Sequence, residues 1–171
     1  MGGYVAFAFY RAYRARVRAL ILADTRAQAD TPEGRAAREE TAQLAEREGS
    51  QAIAERFLPR MLSPETLEEP IGTPARLRAM IEAGTPGGIA GALRGMALRP
   101  DSTDLLPQID CPTLVLVGEE DTLTPPADAC VLADGIPNAR LVIVPHAAHL
   151  ANMEHPEIFN QALSAFLAEQ E

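Results

Sequence analysis

Three apolar runs constrain this chain more than anything else in it: VRALILA (17–23), TLVLVG (113–118) and RLVIV (140–144). Each is near-continuous rather than alternating, which is how strands buried on both faces read. Turn signals bound them: Asp24-Thr25 closes the first, Cys111-Pro112 opens the second, and Pro137-Asn138 and Pro145 flank the third. A helix is expected before the first run, over 3–13, and another between the second and third, over 126–132. A closing helix over 156–167 carries Ile158, Leu163, Phe166 and Leu167 on one stripe. Strand, helical insertion, strand, helix, strand, helix is the order of an open α/β sheet with a helical lid inserted.

The insertion, about 27–100, is rich in Glu, Arg and Ala and nearly free of β-branched runs. Thr31-Pro32, Ser63-Pro64, Thr73-Pro74 and Thr85-Pro86 each set a capping hydroxyl before a proline at the first helical position. Four or five short helices are expected, one of them opened by Ser50. The intervals between these starts do not match, so this is punctuation and not a solenoid. The apolar residues Phe57, Leu58, Met61, Leu77, Met80 and Ile81 could line a pocket or pack the lid on the sheet, and packing is the plainer reading.

Composition narrows the functional classes. The formal net charge is −9 and all 15 basic residues are arginine, so a nucleic-acid partner would need a local basic patch. The one cluster, Arg11, Arg14, Arg16 and Arg18, sits where cations offset the negative end of a helix dipole. The apolar stretch before Arg11 is far shorter than the about 20 residues of a membrane-spanning helix, and no basic segment precedes it as in a signal peptide. Cys111 and Cys130 form neither a disulfide framework nor a metal-ligand pattern. The expectation is a cytoplasmic protein with two reduced thiols and no membrane or nucleic-acid partner.

Ionisable residues concentrate in two loops just past strand ends, where open parallel sheets build their sites. In GEEDTLTPP (118–126), Asp121 leaves the second strand on a turn, placed to accept a hydrogen bond from an imidazole and fix its tautomer. Its plainer reading is a turn or helix-capping aspartate; Glu119 and Glu120 leave the sheet too early. In PHAAHLANMEHPE (145–157), His149 follows the small residues Ala147 and Ala148, which let the backbone turn tightly and leave the ring exposed over the sheet. Its ordinary pKa of about 6.5 suits a general base. His146 and His155 read as loop and helix-start residues, and His146 lacks the further ligands a metal would need.

An acid after one strand and a histidine after the next is the latter part of a Ser, Asp, His order. LVGEEDTLTPP and IVPHAAHLANMEHPEIFNQALSAFL resemble the acid and histidine segments of the α/β-hydrolase superfamily, in its lid-bearing branch of 3-oxoadipate enol-lactonases and RutD-like hydrolases. VRALILADT is similar to the strand and lid entry of that branch. MGGYVAFAF resembles the Gly-x-Ser-Met-Gly-Gly nucleophile elbow from the residue after the serine onward.

The resemblance implies the C-terminal portion of an α/β-hydrolase: three parallel strands with flanking helices and a helical lid insertion. It divides the chain into 1–26 (elbow helix and first strand of the core), 27–100 (lid) and 101–171 (core with the acid and histidine loops). His149 and Asp121 become the catalytic base and its orienting acid. Met1 takes the position whose N–H gives one oxyanion-hole donor, and the nucleophile falls outside this chain. The implied substrate is a small ester or lactone, and neither cofactor nor metal is called for, because this chemistry needs only a base, a nucleophile and oxyanion donors. Thr25 and the free amine of Met1 are remote substitutes for the nucleophile. The strand at 17–23 is expected to lack an inner partner, and such an edge invites pairing with a second copy; a non-catalytic self-associating or partner-binding domain, or a fragment, is the alternative to an enzyme.

Overall fold

In the computed structural model, which describes residues 1–69 and 71–170, the three apolar runs form β1 (Leu20–Ala23), β2 (Thr113–Gly118) and β3 (Ala139–Val144). They pair in parallel in the order β1-β2-β3. Every position of β2 is buried, as its unbroken apolar sequence requires of a central strand. Val115 and Val117 face one layer with Leu20 and Leu22, whereas Leu114 and Leu116 face the other with Val144 and Phe166. This alternation is the period of two expected along a strand.

Helices supply both layers. On the first face lie Phe7 and Tyr10 of α1 (Gly2–Tyr13), and Leu132 of α6 (Pro126–Gly135). Leu105 and Leu106, from a 3₁₀ turn at Thr103–Gln108, join them there. The second face is covered by α8 (Pro156–Ala168) through Phe159, Ala162 and Phe166. The expected stripe on this helix is corrected by about one position, since Ile158 and Leu167 are exposed and only Phe166 of the four is fully buried. The aromatic ring and the small Ala162 fill the space over β2 that Leu167 would have to reach around the helix to occupy.

β1 is shorter than the expected 17–23. Residues Arg14–Arg16 form a 3₁₀ turn, and the first bond of the ladder runs from Leu20 N–H to the Pro112 carbonyl. β2 opens only at Thr113, and Pro112 has no N–H to give, so Val17, Arg18 and Ala19 have no ladder partner on that side.

The chain divides into two compact units: residues 1–28 with 101–171, and residues 29–100. The second is helical: α2 (Pro32–Met61), α3 (Pro64–Leu67), α4 (Thr73–Glu82) and α5 (Pro86–Ala97). Thr31, Ser63 and Thr85 accept the N–H groups of Gly34, Thr66 and Gly88, as capping hydroxyls before proline should. Two expectations are corrected. Thr73 lies inside its helix, and Gly72 takes the cap position. Ser50 follows a break at Gly49 (φ 85°), but its hydroxyl donates to the Glu82 carbonyl instead of capping. Within this unit the Asp30 carboxylate is buried between the guanidinium groups of Arg38 and Arg99, which hold it down to about 2 against the cost of burial.

Tyr10 anchors α1 to the segment that opens β2. Its hydroxyl donates to Asp110 Oδ1 at 2.8 Å and receives the Asp110 N–H at 3.2 Å, while Arg14 pairs with the same carboxylate at 2.5 Å. Tyr10→Phe is expected to cost about 1–2 kcal/mol, the loss of a hydrogen bond to a charged acceptor together with an unpaired N–H. Urea denaturation measures it, and a variant as stable as wild type would refute the anchor.

Candidate active site

The two loops singled out in the sequence meet. β2 delivers Asp121 and β3 delivers His149, and because the strands are parallel neighbours both loops leave the same end of the sheet. His149 Nδ1 lies 2.8 Å from Asp121 Oδ2. Asp121 has a fully buried side chain and His149 keeps 17% of its side-chain surface. The ring is therefore tucked in more deeply than the exposed position expected for it. Ala147 and Ala148 are themselves buried, and they bring the loop down onto the sheet instead of lifting the ring clear of it.

An ionised carboxylate only accepts hydrogen bonds, so Nδ1 carries the proton of this contact. In the neutral imidazole that leaves the lone pair on Nε2, which has no hydrogen-bond partner among the described residues. Asp121 is held by more than the ring. Its Oδ1 accepts the N–H groups of Leu123 at 2.8 Å and Thr124 at 3.0 Å, and its Oδ2 accepts the Thr124 hydroxyl at 2.7 Å. Burial alone would raise this carboxyl, but the contacts with His149 and Thr124 outweigh it and leave the group below its ordinary value.

Thr124 went unremarked in the sequence, although Asp-x-x-Thr on a turn is a readable signal: the aspartate bonds backbone groups two and three residues on. Its hydroxyl also stands 3.3 Å from His149 Nδ1, so it supports both members of the pair. Gly118 is a second omission. A Cβ placed there would fall on the carbonyl groups of Ala147 and Ala148, backbone that has no room to retreat. The Ala147 carbonyl also accepts the Glu120 N–H at 2.8 Å. Glu154 is a third: its carboxylate accepts the Ala148 N–H at 2.8 Å, a role no spacing announces.

The remaining candidates settle elsewhere. Glu119 accepts the His146 N–H at 3.3 Å and Glu120 is exposed. His146 has positive φ (58°), and His155 sits at the start of α8 with Nε2 3.3 Å from the His146 carbonyl. Among the described residues no three metal-ligating side chains converge. Met1 is exposed and caps α1, its carbonyl accepting the N–H groups of Tyr4 and Val5. Thr25, the remote substitute for the nucleophile, has a buried hydroxyl packed where a side chain on Gly3 would have to be.

With this geometry in place, comparison with known proteins is informative. The family profile described as alpha/beta hydrolase fold matches residues 1–156. A thermophilic esterase from Thermogutta terrifontis, solved with malate bound, superposes with a TM-score of 0.94 at 46% identity, over 99% of this chain and 62% of that one. The enol-lactonase from Burkholderia xenovorans superposes at 0.88 with 30% identity, over 98% of this chain and 63% of that one. By sequence, 3-oxoadipate enol-lactonase 2 of Acinetobacter baylyi is 29% identical over 89% of this chain and 55% of its own length. The chain thus spans between about half and two thirds of these relatives.

Two substitutions test the geometry. Gly118→Ala is expected to displace the 147–149 backbone and break the His149–Asp121 contact, read as loss of the downfield Nδ1 proton in the NMR spectrum; retention of that signal overturns the close approach. Asp121→Asn is expected to destabilise the protein at pH 7, with the difference from wild type vanishing at low pH. The sign follows from a carboxyl whose folded value is depressed: its stabilisation is present above the unfolded value of about 3.9 and is lost as pH falls through the folded one. A difference independent of pH, by urea denaturation at pH 7 and pH 3, would exclude it.

Proposed function

The chain belongs to the alpha/beta hydrolase fold family, and from that premise we propose that it forms the acid–base portion of a hydrolase of small carboxylic esters or lactones. His149 is the general base, Asp121 its orienting acid, and the N–H of Met1, at the start of α1, one donor to the oxyanion. The observation that carries this reading is the 2.8 Å contact between Nδ1 and a buried, fully bonded carboxylate, which leaves Nε2 as the free lone pair. Nε2 takes a proton from the attacking hydroxyl; the imidazolium that forms is stabilised by Asp121, which stays ionised. The substrate class is supported by relatives named as an esterase and an enol-lactonase. In this reading the serine nucleophile lies outside these 171 residues, and the helical unit 29–100 is the lid.

A cytoplasmic setting is supported by two free thiols, Cys111 buried and Cys130 exposed, since an exposed unpaired thiol persists best where glutathione keeps it reduced. No described helix is long and apolar enough to cross a membrane.

A base without its nucleophile retains a small part of the catalysis. Slow hydrolysis of p-nitrophenyl acetate above the buffer rate is expected, abolished by His149→Ala, reduced about 10-fold or more by Asp121→Asn, and unchanged by acetylating the Met1 amine. A rate indifferent to His149→Ala would sink the proposal.

One observation favours a second reading, a self-associating domain. β1 is an edge strand, and beside it runs an apolar groove lined by Val5, Ala6, Phe9, Val17, Ala19 and Leu167. We propose that copies associate through the strand near 17–23, since an unpaired edge next to apolar surface recruits another chain. Light scattering at micromolar concentration should report a dimer or larger; a monomeric mass would count against it.

A further inference from the structure

A third ionisable group stands at the same end of the sheet. Asp24 ends β1 in left-handed backbone (φ 45°), one of two non-glycine residues with positive φ among those described. The other, His146, is in the histidine loop, and backbone strain of this kind collects at functional sites. Beyond Ala23 the ladder continues for one bond, from the Asp24 N–H to the Leu116 carbonyl. The side chain then takes over: Asp24 Oδ1 accepts the N–H of Gly118 at 3.0 Å, a donor left without a backbone acceptor when β1 turns away. The Ala151 N–H, two residues past His149, adds a small pull that lowers the carboxyl.

We propose that Asp24 is a positioning residue of the proposed hydrolase site: it ties the end of β1 to the end of β2, which carries Asp121, and lends the imidazole a second negative charge. This rests on the assignment of His149 as base. The charged groups acting on Asp24 are His149, from the loop after β3, and Asp121, from the loop after β2. The next side chain along its own segment, Arg26, pairs with Asp128 of α6 at 3.7 Å. Burial pushes the Asp24 carboxyl up to about 7; the Gly118 N–H and His149 pull it down, and Asp121 pushes it up. Near neutrality it therefore exchanges a proton, and it ionises more readily when the imidazole is charged.

Carbon-13 NMR of the Asp24 carboxyl tests the coupling in the intact chain. The midpoint is expected to rise in His149→Gln, which removes the cation, and to fall in Asp121→Asn, which removes the like charge, each by about half a pH unit or more. A midpoint unmoved in both overturns the proposal. Amide exchange at Gly118 tests the tether: Asp24→Ala should accelerate it about 10-fold or more, while Asp24→Asn, whose carboxamide oxygen still accepts, should restore slow exchange. Equal exchange in wild type and Asp24→Ala removes the tether.

A third readout needs no second substitution. A carboxyl raised in the folded state contributes stability that is present below its unfolded value of about 3.9 and lost as pH rises through about 7. Asp24→Asn should therefore gain thermal stability relative to wild type between these limits, and a constant difference refutes the buried titration. These outcomes are separable from those of ester hydrolysis. An unmoved Asp24 midpoint with His149-dependent turnover sinks only the present proposal, whereas a moving midpoint with turnover indifferent to His149 upholds the coupling and sinks the hydrolase assignment.

Discussion

The contact between His149 and Asp121 depends on an atom that is missing. β2 ends in Gly118, and the carbonyl groups of Ala147 and Ala148 occupy the space its Cβ would fill. Only that close approach brings the loop after β3 down over the end of β2, where Asp121 is already fixed by its own turn. The loop is then fastened from two directions: Glu120 N–H to the Ala147 carbonyl and Ala148 N–H to Glu154. A histidine held this way reaches its partner with little freedom left to lose, which is what orientation requires of the general base proposed for it.

The parallel sheet supplies the rest of the arrangement. Adjacent parallel strands send their chains out at one end, so three successive loops converge there without any long excursion. β2 can sit between its neighbours because it is apolar on both faces, with α1 and α6 covering one side and α8 the other. Asp110 has a related part at the opposite end of β2. It is clamped by Tyr10 and Arg14, which set where the strand begins, and the register of β2 against β3 then carries that setting to Gly118.

The strands and the Asp121–His149 pair were legible because each depends on local pattern. An unbroken apolar run announces a buried strand, and an acid and a histidine just past two such runs announce where they emerge. The features that escaped depend on contacts between distant segments. The length of β1 is decided by where β2 starts and by Pro112, and the buried stripe of α8 by the shape of the sheet beneath it. Glu154 and Asp24 accept the backbone N–H groups of Ala148 and Gly118, partners that no spacing reveals. Thr124 is an intermediate case: its turn was readable, but its approach to the imidazole was not. Met1 was assigned by resemblance alone, and its N–H as an oxyanion donor belongs to the proposal.

Asp24 and Asp121 show how two identical side chains at neighbouring strand ends are shifted in opposite directions. Each leaves one of two neighbouring parallel strands, and burial raises both. Asp121 collects two backbone N–H groups, a hydroxyl and an imidazole N–H, and together these outweigh burial. Asp24 accepts one backbone N–H, that of Gly118, and the charge on Asp121 raises it further. The charge on Asp121 raises the Asp24 carboxyl, and the better-bonded carboxylate ionises first. The divergence therefore follows from the number of donors around each group, and it is the kind of separation that assigns distinct roles to paired titratable residues.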